Sequence, residues 1–233
     1  MRILAFDTST EWCSVAAGDG DAWFGRDEHA GQAHSERLLP MIDSVLAEAG
    51  WAIGALDGIA FGAGPGSFTG IRIGCGVAQG LALGADLPLV GVPTLAAIAQ
   101  EAFRSHQWTR VFACLDARVG EVYFSAHAWH PDGWREISEP AVLSPARVSR
   151  PDVSVAEDWR GAGGGFAAYP ELGRQLDLAG VDATLRPTAQ AIAELALRHF
   201  RAQRTVSACD ALPLYVRHRV ALTVAERDAG IRL

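Results

Sequence analysis

The glycine-rich stretch GAGPGSFTGIRIG, from Gly62 to Gly74, holds the residues best suited to chemistry in this sequence. It follows a short apolar run and leads into an apolar helical pattern, an order in which the N–H groups of a helix N-terminus can bind an anion such as phosphate. The same order is typical of a turn whose helix is capped by a hydroxyl, here that of Ser67 or Thr69. The residues favour the turn and cap, because glycines serve many turns that bind no ligand, and the phosphate site is the alternative.

The spacing within this stretch excludes several catalytic motifs. GxGxxG needs a glycine where Thr69 stands, and GxSxG needs glycines two residues before and after Ser67, where Pro65 and Thr69 are found. All 20 basic residues are arginine, so no lysine is available for a Walker A loop, a Schiff base or a Ser-Lys dyad. The sequence therefore predicts neither a P-loop ATPase nor lysine-based catalysis.

Histidine and cysteine, the usual zinc ligands, are scattered along the chain. Cys13, Cys75, Cys114 and Cys209 form no CxxC pair, and no two histidines have the i, i+4 spacing of HExxH. We therefore expect no metal, no cofactor and no disulfide framework. Free thiols suit a reducing cytoplasm, which is the expected location.

Composition limits the classes of function further. A chain of 233 residues that is 49% hydrophobic can bury one large core or two smaller lobes. Its net charge of −7 disfavours tight binding of tRNA by this chain alone, because such affinity comes mainly from neutralised phosphates. The uncharged run Ile73 to Ala85, like the others in the chain, is shorter than the roughly 20 residues of a membrane span, and MRILAFD predicts a first strand rather than a signal peptide.

The first half of the chain alternates strand and helix patterns. Three short strands are predicted first, and the apolar spacing then predicts a helix from Ser35 that Gly50 ends. The three strands are Ile3 to Asp7, Cys13 to Ala17 and Ala22 to Glu28, and later strands at Gly58 to Ala63 and Leu89 to Val92 alternate with helices at Ile71 to Ala85 and Thr94 to Arg104. This alternation predicts parallel strands covered by helices.

The second half begins near Arg110 and has a weaker pattern. The predicted elements are strands at Val111 to Asp116 and Glu121 to Trp129, a polar connection from Pro140 to Trp159, a glycine-rich α/β stretch from Gly161, and a helix at Ala189 to Phe200. No repeat period stands out. The sequence therefore predicts a second, smaller α/β unit.

The helix after the glycine-rich stretch lacks a polar face. From Ile73 to Ala85 its only clearly polar side chain is Gln79, and small residues recur every four positions. A helix that is apolar all round is buried on more than one side, either in a core or against a partner chain. The interface hypothesis includes the helix from Ser35 as its neighbour and assigns Leu38, Leu39, Ile42, Gly70, Gly74, Val77, Ala78, Leu81 and Ala82 to the partner surface.

Five motifs, in chain order, resemble the bacterial TsaB family. They are MRILAFDTST at the start, HSERLLP from His34, GPGSFTGIRIG from Gly64, LDARVGEVYF from Leu115 and LYVR from Leu214 to Arg217. The resemblance implies an α/β fold of the actin, hexokinase and sugar-kinase ATPase type, with mixed sheets flanked by helices in two lobes, residues 1–105 and 106–233. It also implies a non-catalytic scaffold that acts with homologues of the transferase TsaD and the ATPase TsaE to make N6-threonylcarbamoyladenosine beside the tRNA anticodon. A homodimer is expected when the chain is alone, and tRNA is reached only through the complex.

The resemblance also bears on individual residues. Asp7, Thr8 and Ser9 resemble the first phosphate motif of this ATPase fold, and an ordinary turn is the alternative. Where the TsaD family carries a metal-binding HxxxH, this chain has Thr94 and Ile98, which offer no imidazole.

Three charged residues, Asp116, Arg118 and Glu121, follow a predicted strand and are interpreted as structural, because an acid and an arginine at a strand end commonly pair. Two other functions stay open. The first is a vestigial actin-like ATPase or sugar kinase, which would need a catalytic base. The second is a metallopeptidase, which would need metal ligands that this sequence does not offer.

Overall fold

The computed structural model describes residues 1–151 and 158–216. The first sheet contains β1 (Ile3–Asp7), β2 (Trp12–Gly18), β3 (Trp23–His29), β4 (Gly58–Gly64) and β5 (Leu89–Pro93), in the order β3-β2-β1-β4-β5. Strands β1 to β3 are antiparallel neighbours, and β4 and β5 extend the sheet in parallel with β1. The predicted meander and the predicted parallel strands are both confirmed.

The second sheet has the same topology as the first. It contains β6 (Arg110–Arg118), β7 (Glu121–His130), β8 (Gly133–Leu143), β9 (Arg160–Ala162) and β10 (Gly180–Asp182), in the order β10-β9-β6-β7-β8. Again three antiparallel strands are followed by two parallel ones. The predicted α/β fold of the actin type, with two mixed sheets flanked by helices, is therefore confirmed. The repeat was not visible in the sequence, because backbone pairing preserves a topology without preserving side chains.

Six α-helices among the described residues accompany the sheets. They are α1 (His34–Ala49), α2 (Phe68–Ala85), α3 (Thr94–His106), α4 (Gly165–Ala168), α5 (Leu172–Gln175) and α6 (Ala189–Arg201). Helices α1 and α2 pack on one face of the first sheet and α6 on its other face, whereas α3 packs on the second sheet. The last helix of each half thus covers the sheet of the other half. The division at residues 105 and 106 falls inside the end of α3, and it stays a prediction.

A network of polar side chains joins α3 to α6 between the sheets. Arg104 on α3 contacts Glu194 on α6 at 3.1 Å and Glu101 at 2.6 Å. Gln100 donates a hydrogen bond to Glu194 (2.7 Å) and accepts one from the indole of Trp134 on β8 (2.8 Å). These bonds connect the two halves through groups that are largely shielded from water.

Two elements differ from the expectations. The polar connection predicted from Pro140 to Trp159 begins inside β8, and β10 was not predicted at all. Pro140 is compatible with β8 because the strand lies at the edge of its sheet, where a missing N–H leaves no ladder bond unmade. Residues 152–157 of that connection lie outside the described residues. None of the described helices is long and apolar enough to span a membrane.

Candidate functional site

A cavity of about 1100 Å³ opens between the two sheets. Its walls include the turn after β1, the N-terminal end of α2, the turn formed by the last residues of β6 (Asp116 to Arg118) and the stretch from Leu214 to Val216. Because β1 and β6 occupy equivalent places in the two sheets, the turns at their ends face each other across the cavity. This inter-lobe cleft is where a ligand of this fold would be expected.

The phosphate motif predicted at Asp7, Thr8 and Ser9 is almost entirely buried. Only 1% of Asp7, 1% of Thr8 and 2% of Ser9 is exposed. The Asp7 Oδ1 atom accepts hydrogen bonds from the Ser9 N–H (2.9 Å) and the Ser9 hydroxyl (2.8 Å), and Oδ2 is buried without a partner. Burial raises the pKa of the Asp7 carboxyl to about 7, and the Ser9 hydrogen bonds only partly offset this. Of the three residues, Ser9 alone lines the cleft.

The carbonyl oxygens of the turn after β1 are also occupied. The Ser9 oxygen accepts from the Ser67 N–H at 2.7 Å, and the Thr10 oxygen lies 2.9 Å from Nε2 of His34. The Glu11 oxygen accepts from two backbone N–H groups, each at 2.9 Å. The carbonyls of Ser9, Thr10 and Glu11 are therefore all engaged by bonds within the chain.

The turn after β6 repeats this arrangement nearer the surface. Asp116 Oδ1 accepts from the Arg118 N–H (2.9 Å), as Asp7 does from Ser9, and Asp116 Oδ2 accepts from the Arg118 guanidinium (3.1 Å). The expectation that Asp116 and Arg118 pair with each other is confirmed. Glu121 stands opposite Arg118 in the strand ladder. The acid on this side of the cleft is thus engaged by its own turn.

Metal ligands are not gathered in the described part of the chain. Among residues 1–151 and 158–216, no three His, Cys, Asp or Glu side chains form a group that could hold a metal ion. The cysteines are free thiols. Thr94 and Ile98 are both fully buried at the start of α3.

The buried pair Ser125 and His127 shares a hydrogen bond of 2.7 Å, and burial lowers the pKa of His127 to about 4.

The glycine-rich stretch from Gly62 to Gly74 connects the end of β4 to the first turns of α2. Ser67 is the N-cap, and its hydroxyl accepts from the Gly70 N–H at 3.3 Å, so the predicted turn and cap is confirmed with Ser67 rather than Thr69. Gly70 and Gly74 pack against Thr8: a Cβ at Gly70 would overlap the Thr8 carbonyl, and one at Gly74 would lie 2.7 Å from the Thr8 hydroxyl. Glycine is therefore needed here for close approach within the chain.

The small residues of α2 that were predicted to face a partner chain face inward instead. Gly70, Gly74, Ala78 and Ala82 are all buried inside this chain, where this side of α2 contacts the first sheet and the inner side of α1. Leu38 and Ile42 are likewise buried, at 1% and 2% exposure. Of the predicted partner residues, only Leu39, Val77 and Leu81 reach the outer side.

Sequence reasoning missed the residues that do form the outer side of α2. Gly76, Gly80 and Gly84 also recur every four residues, and a Cβ added at any of them would meet no atom of the described residues within 4 Å. On the same helix Leu83 is 72% exposed, and on α1, which packs against α2, Leu39 is 46% exposed. We call Leu39, Gly76, Gly80, Leu83 and Gly84 the outer face. The four-residue spacing was visible in the sequence, but it occurs on both sides of this helix.

The C-terminal end of the described chain crosses α2. The Ala211 carbonyl accepts from the Gln79 side chain (3.0 Å), and the Leu214 N–H donates to the Ala63 carbonyl (2.7 Å). Arg72 donates to the Tyr215 hydroxyl at 2.8 Å. This contact explains the position of the LYVR motif, whose Arg217 lies outside the described residues.

Comparisons with known proteins agree on one family. The family model described as TsaD, tRNA N6-adenosine threonylcarbamoyltransferase, matches residues 27–216. The tRNA threonylcarbamoyladenosine biosynthesis protein TsaB of Escherichia coli is 41% identical over 95% of this chain and 96% of its own length. The TsaB of Haemophilus influenzae is also 41% identical, over 94% of this chain and 95% of its own. A solved structure described as YeaZ from Pseudomonas aeruginosa superposes with a TM-score of 0.86 at 41% identity, covering 92% of this chain and 99% of its own. The chain therefore belongs to the TsaB family of tRNA threonylcarbamoyladenosine biosynthesis proteins.

Proposed function

We propose that this chain is a non-catalytic scaffold subunit in the synthesis of N6-threonylcarbamoyladenosine in tRNA. In this role it supports a TsaD-type transferase and a TsaE-type ATPase in the cytoplasm. Membership of the TsaB family supports the pathway. The geometry of the cleft and of the outer face supports the scaffold role.

The engagement of Asp7 and Asp116, the acids at the ends of the equivalent strands β1 and β6, is the observation that carries the non-catalytic part. A general base or a metal-binding carboxylate must reach the reacting atoms, at about 3 Å or through one water. Asp7 is only 1% exposed, and Asp116 is held by Arg118. A vestigial ATPase or sugar kinase would have to release one of these carboxylates, or use Glu11, which also lines the cleft.

The outer face supports the scaffold part. A glycine in a helix interior is less favourable than alanine by roughly 1 kcal/mol, and within the described chain no atom requires Gly76 or Gly80 to lack a Cβ. The two glycines make sense if another helix approaches α2 closely. Exposed leucines on the same pair of helices, Leu39 on α1 and Leu83 on α2, would supply apolar contact area to that helix.

The occupant we propose for the outer face is a TsaD-type transferase. The transferase family model matches most of this chain, so the transferase is expected to carry a comparable pair of helices on its first sheet. Two such pairs can pack across a pseudo-twofold axis into a four-helix interface. A second copy of this chain can occupy the same face when the transferase is absent, which gives a homodimer.

Charge assigns tRNA binding to the complex rather than to this chain. A net charge of −7 works against the neutralisation of phosphates that drives most affinity for nucleic acid. The transferase and the ATPase are then the proteins that bring tRNA and nucleotide to the reaction.

The experiment that tests the proposal is co-purification with the transferase, followed by an assay of modified adenosine in tRNA with and without this chain. Gly80→Arg should abolish both co-purification and support, since it places a charged side chain in the interface. Ala202→Arg is the matched control, because it adds the same charge at the exposed end of α6, on the opposite side of the first sheet. Unchanged pairing of a folded Gly80→Arg chain would contradict the proposed interface, and full modification without this chain would contradict the scaffold role.

A further inference from the structure

The turn from Thr8 to Glu11, between β1 and β2, is the place where the N-terminal ends of α1 and α2 meet. In a nucleotide-binding protein such a turn would keep polar groups free for its ligand. Here the Thr8 hydroxyl and the carbonyls of Ser9 and Thr10 are bonded to the two helices or to the N-cap of α2 instead. The turn is buried at Thr8 and Ser9, so water does not compete for these bonds.

Helix α2 is attached to the turn at two points. The Ser67 N–H donates to the Ser9 carbonyl at 2.7 Å, and the Thr8 hydroxyl donates to the Gly70 carbonyl at 2.8 Å. Gly70 and Gly74 lack the Cβ atoms that would hold α2 away from Thr8. The first turn of α2 is therefore seated directly on Thr8.

Helix α1 is attached to the other end of the same turn. Nε2 of His34, the first residue of α1, lies 2.9 Å from the Thr10 carbonyl. A carbonyl only accepts, so this nitrogen carries the proton, and Nδ1 is buried without a partner. The N-cap position of α1 makes no side-chain capping bond. His34 therefore bonds the N-terminal end of α1 to the turn, at a helix end that has no side-chain cap.

We propose that the turn from Thr8 to Glu11 is a clamp that holds α1 and α2 in the relative position the outer face needs, and that Thr8 and His34 are its positioning residues. The proposal rests on the proposed function, because the outer face is the surface that it orients. Helix α2 and its N-cap bond to Thr8 and Ser9, and α1 bonds to Thr10, the next residue of the same turn, so movement of either helix is transmitted to the other. The residues that resemble a phosphate motif thereby serve protein association.

Paired substitutions separate the hydrogen bonds from the volume of the side chains. Thr8→Val and His34→Leu remove a donor at similar size, whereas Thr8→Ser and His34→Gln keep one. Ser125→Ala is the control, because it removes a buried hydrogen-bonded hydroxyl from the second sheet. Hydrogen exchange of the free protein is measured for α1, α2 and α6.

The clamp predicts effects that cross from one helix to the other. Thr8→Val, whose lost bond is to α2, should speed exchange in the first turn of α1, and His34→Leu should speed exchange in the first turn of α2, each by about fivefold, the value of one hydrogen bond. Exchange in α6 should not change, the donor-keeping variants should resemble the wild type, and Ser125→Ala should leave α1 and α2 unchanged. Unchanged exchange in the helix across the turn would overturn the clamp.

Affinity for the transferase distinguishes failure of the clamp from failure of the proposed function. The dissociation constant should rise by about fivefold or more in Thr8→Val and His34→Leu, and by little in Ser125→Ala. A wild-type chain that does not bind the transferase would refute the proposed interface, and the exchange experiment would still decide the clamp. Wild-type binding with equal affinity in Thr8→Val and His34→Leu would refute the clamp alone.

Discussion

Replacing Gly76 and Gly80 by alanine should stabilise the isolated chain and weaken its association. Both glycines lie inside the 18-residue helix α2, and at either of them an added Cβ would meet nothing within 4 Å among residues 1–151 and 158–216. Each substitution should therefore gain the full difference in helix propensity, about 1 kcal/mol, or about 2 kcal/mol for both. For a chain of this length, this corresponds to a rise in Tm of roughly 4–8 °C.

The affinity of the chain for the transferase should fall. Two extra methyl groups on the outer face would hold an approaching helix away, and overpacking of this kind costs about 1–3 kcal/mol, or roughly a five- to hundredfold rise in Kd. Thermal unfolding of the isolated chain and calorimetric titration with the transferase measure the two effects. Gly70→Ala is the internal control, because the same substitution on the inner side of the same helix meets the Thr8 carbonyl and should lower the Tm.

The change in Tm and the change in affinity together test the proposed role of Gly76 and Gly80. A higher Tm with unchanged affinity would mean that the glycines of the outer face do not contact a partner. A lower Tm would mean that Gly76 and Gly80 are needed within the chain, which would refute the reasoning from the open space around them.

Other predictions concern the interior and the chemistry of the chain. Asp7→Asn should raise the Tm more at pH 8 than at pH 4. Burial raises the pKa of the Asp7 carboxyl from 3.8 to about 7, so the folded chain retains a proton that the unfolded chain releases. Wild-type stability therefore falls as the pH rises from about 4 through 7. A difference in Tm between variant and wild type that does not grow with pH would contradict this. Gly74→Arg and Ala78→Arg should unfold the chain, as seen by circular dichroism, because both positions are buried. The purified chain should bind tRNA only weakly at physiological salt, and submicromolar binding would refute the charge argument. Metal analysis should find no stoichiometric zinc or iron.

The sequence was sufficient to predict most of the helices and strands and the fold class. Periodicity located the four long helices within about three residues at their starts, as α2 illustrates, but not α4 and α5, which have four residues each. Strand β1 was predicted at its observed bounds. It was insufficient for β8, because an edge strand exposed on one side carries polar residues and tolerates Pro140. It was also insufficient for β10, whose three residues are too few to show a period.

The sequence by itself determined which kinds of residue are available: no lysine, no HxxxH at Thr94 and Ile98, and small residues at four-residue spacing along α2. Only the tertiary structure decided how those residues are used. Helical periodicity identifies the stripes on a helix, but it does not say which stripe faces inward; that depends on Thr8, which meets Gly70 and Gly74 from 62 residues away in sequence. The roles of Asp7 and His34 were likewise undetermined, because a carboxyl or an imidazole is exposed or saturated according to partners that folding brings to it.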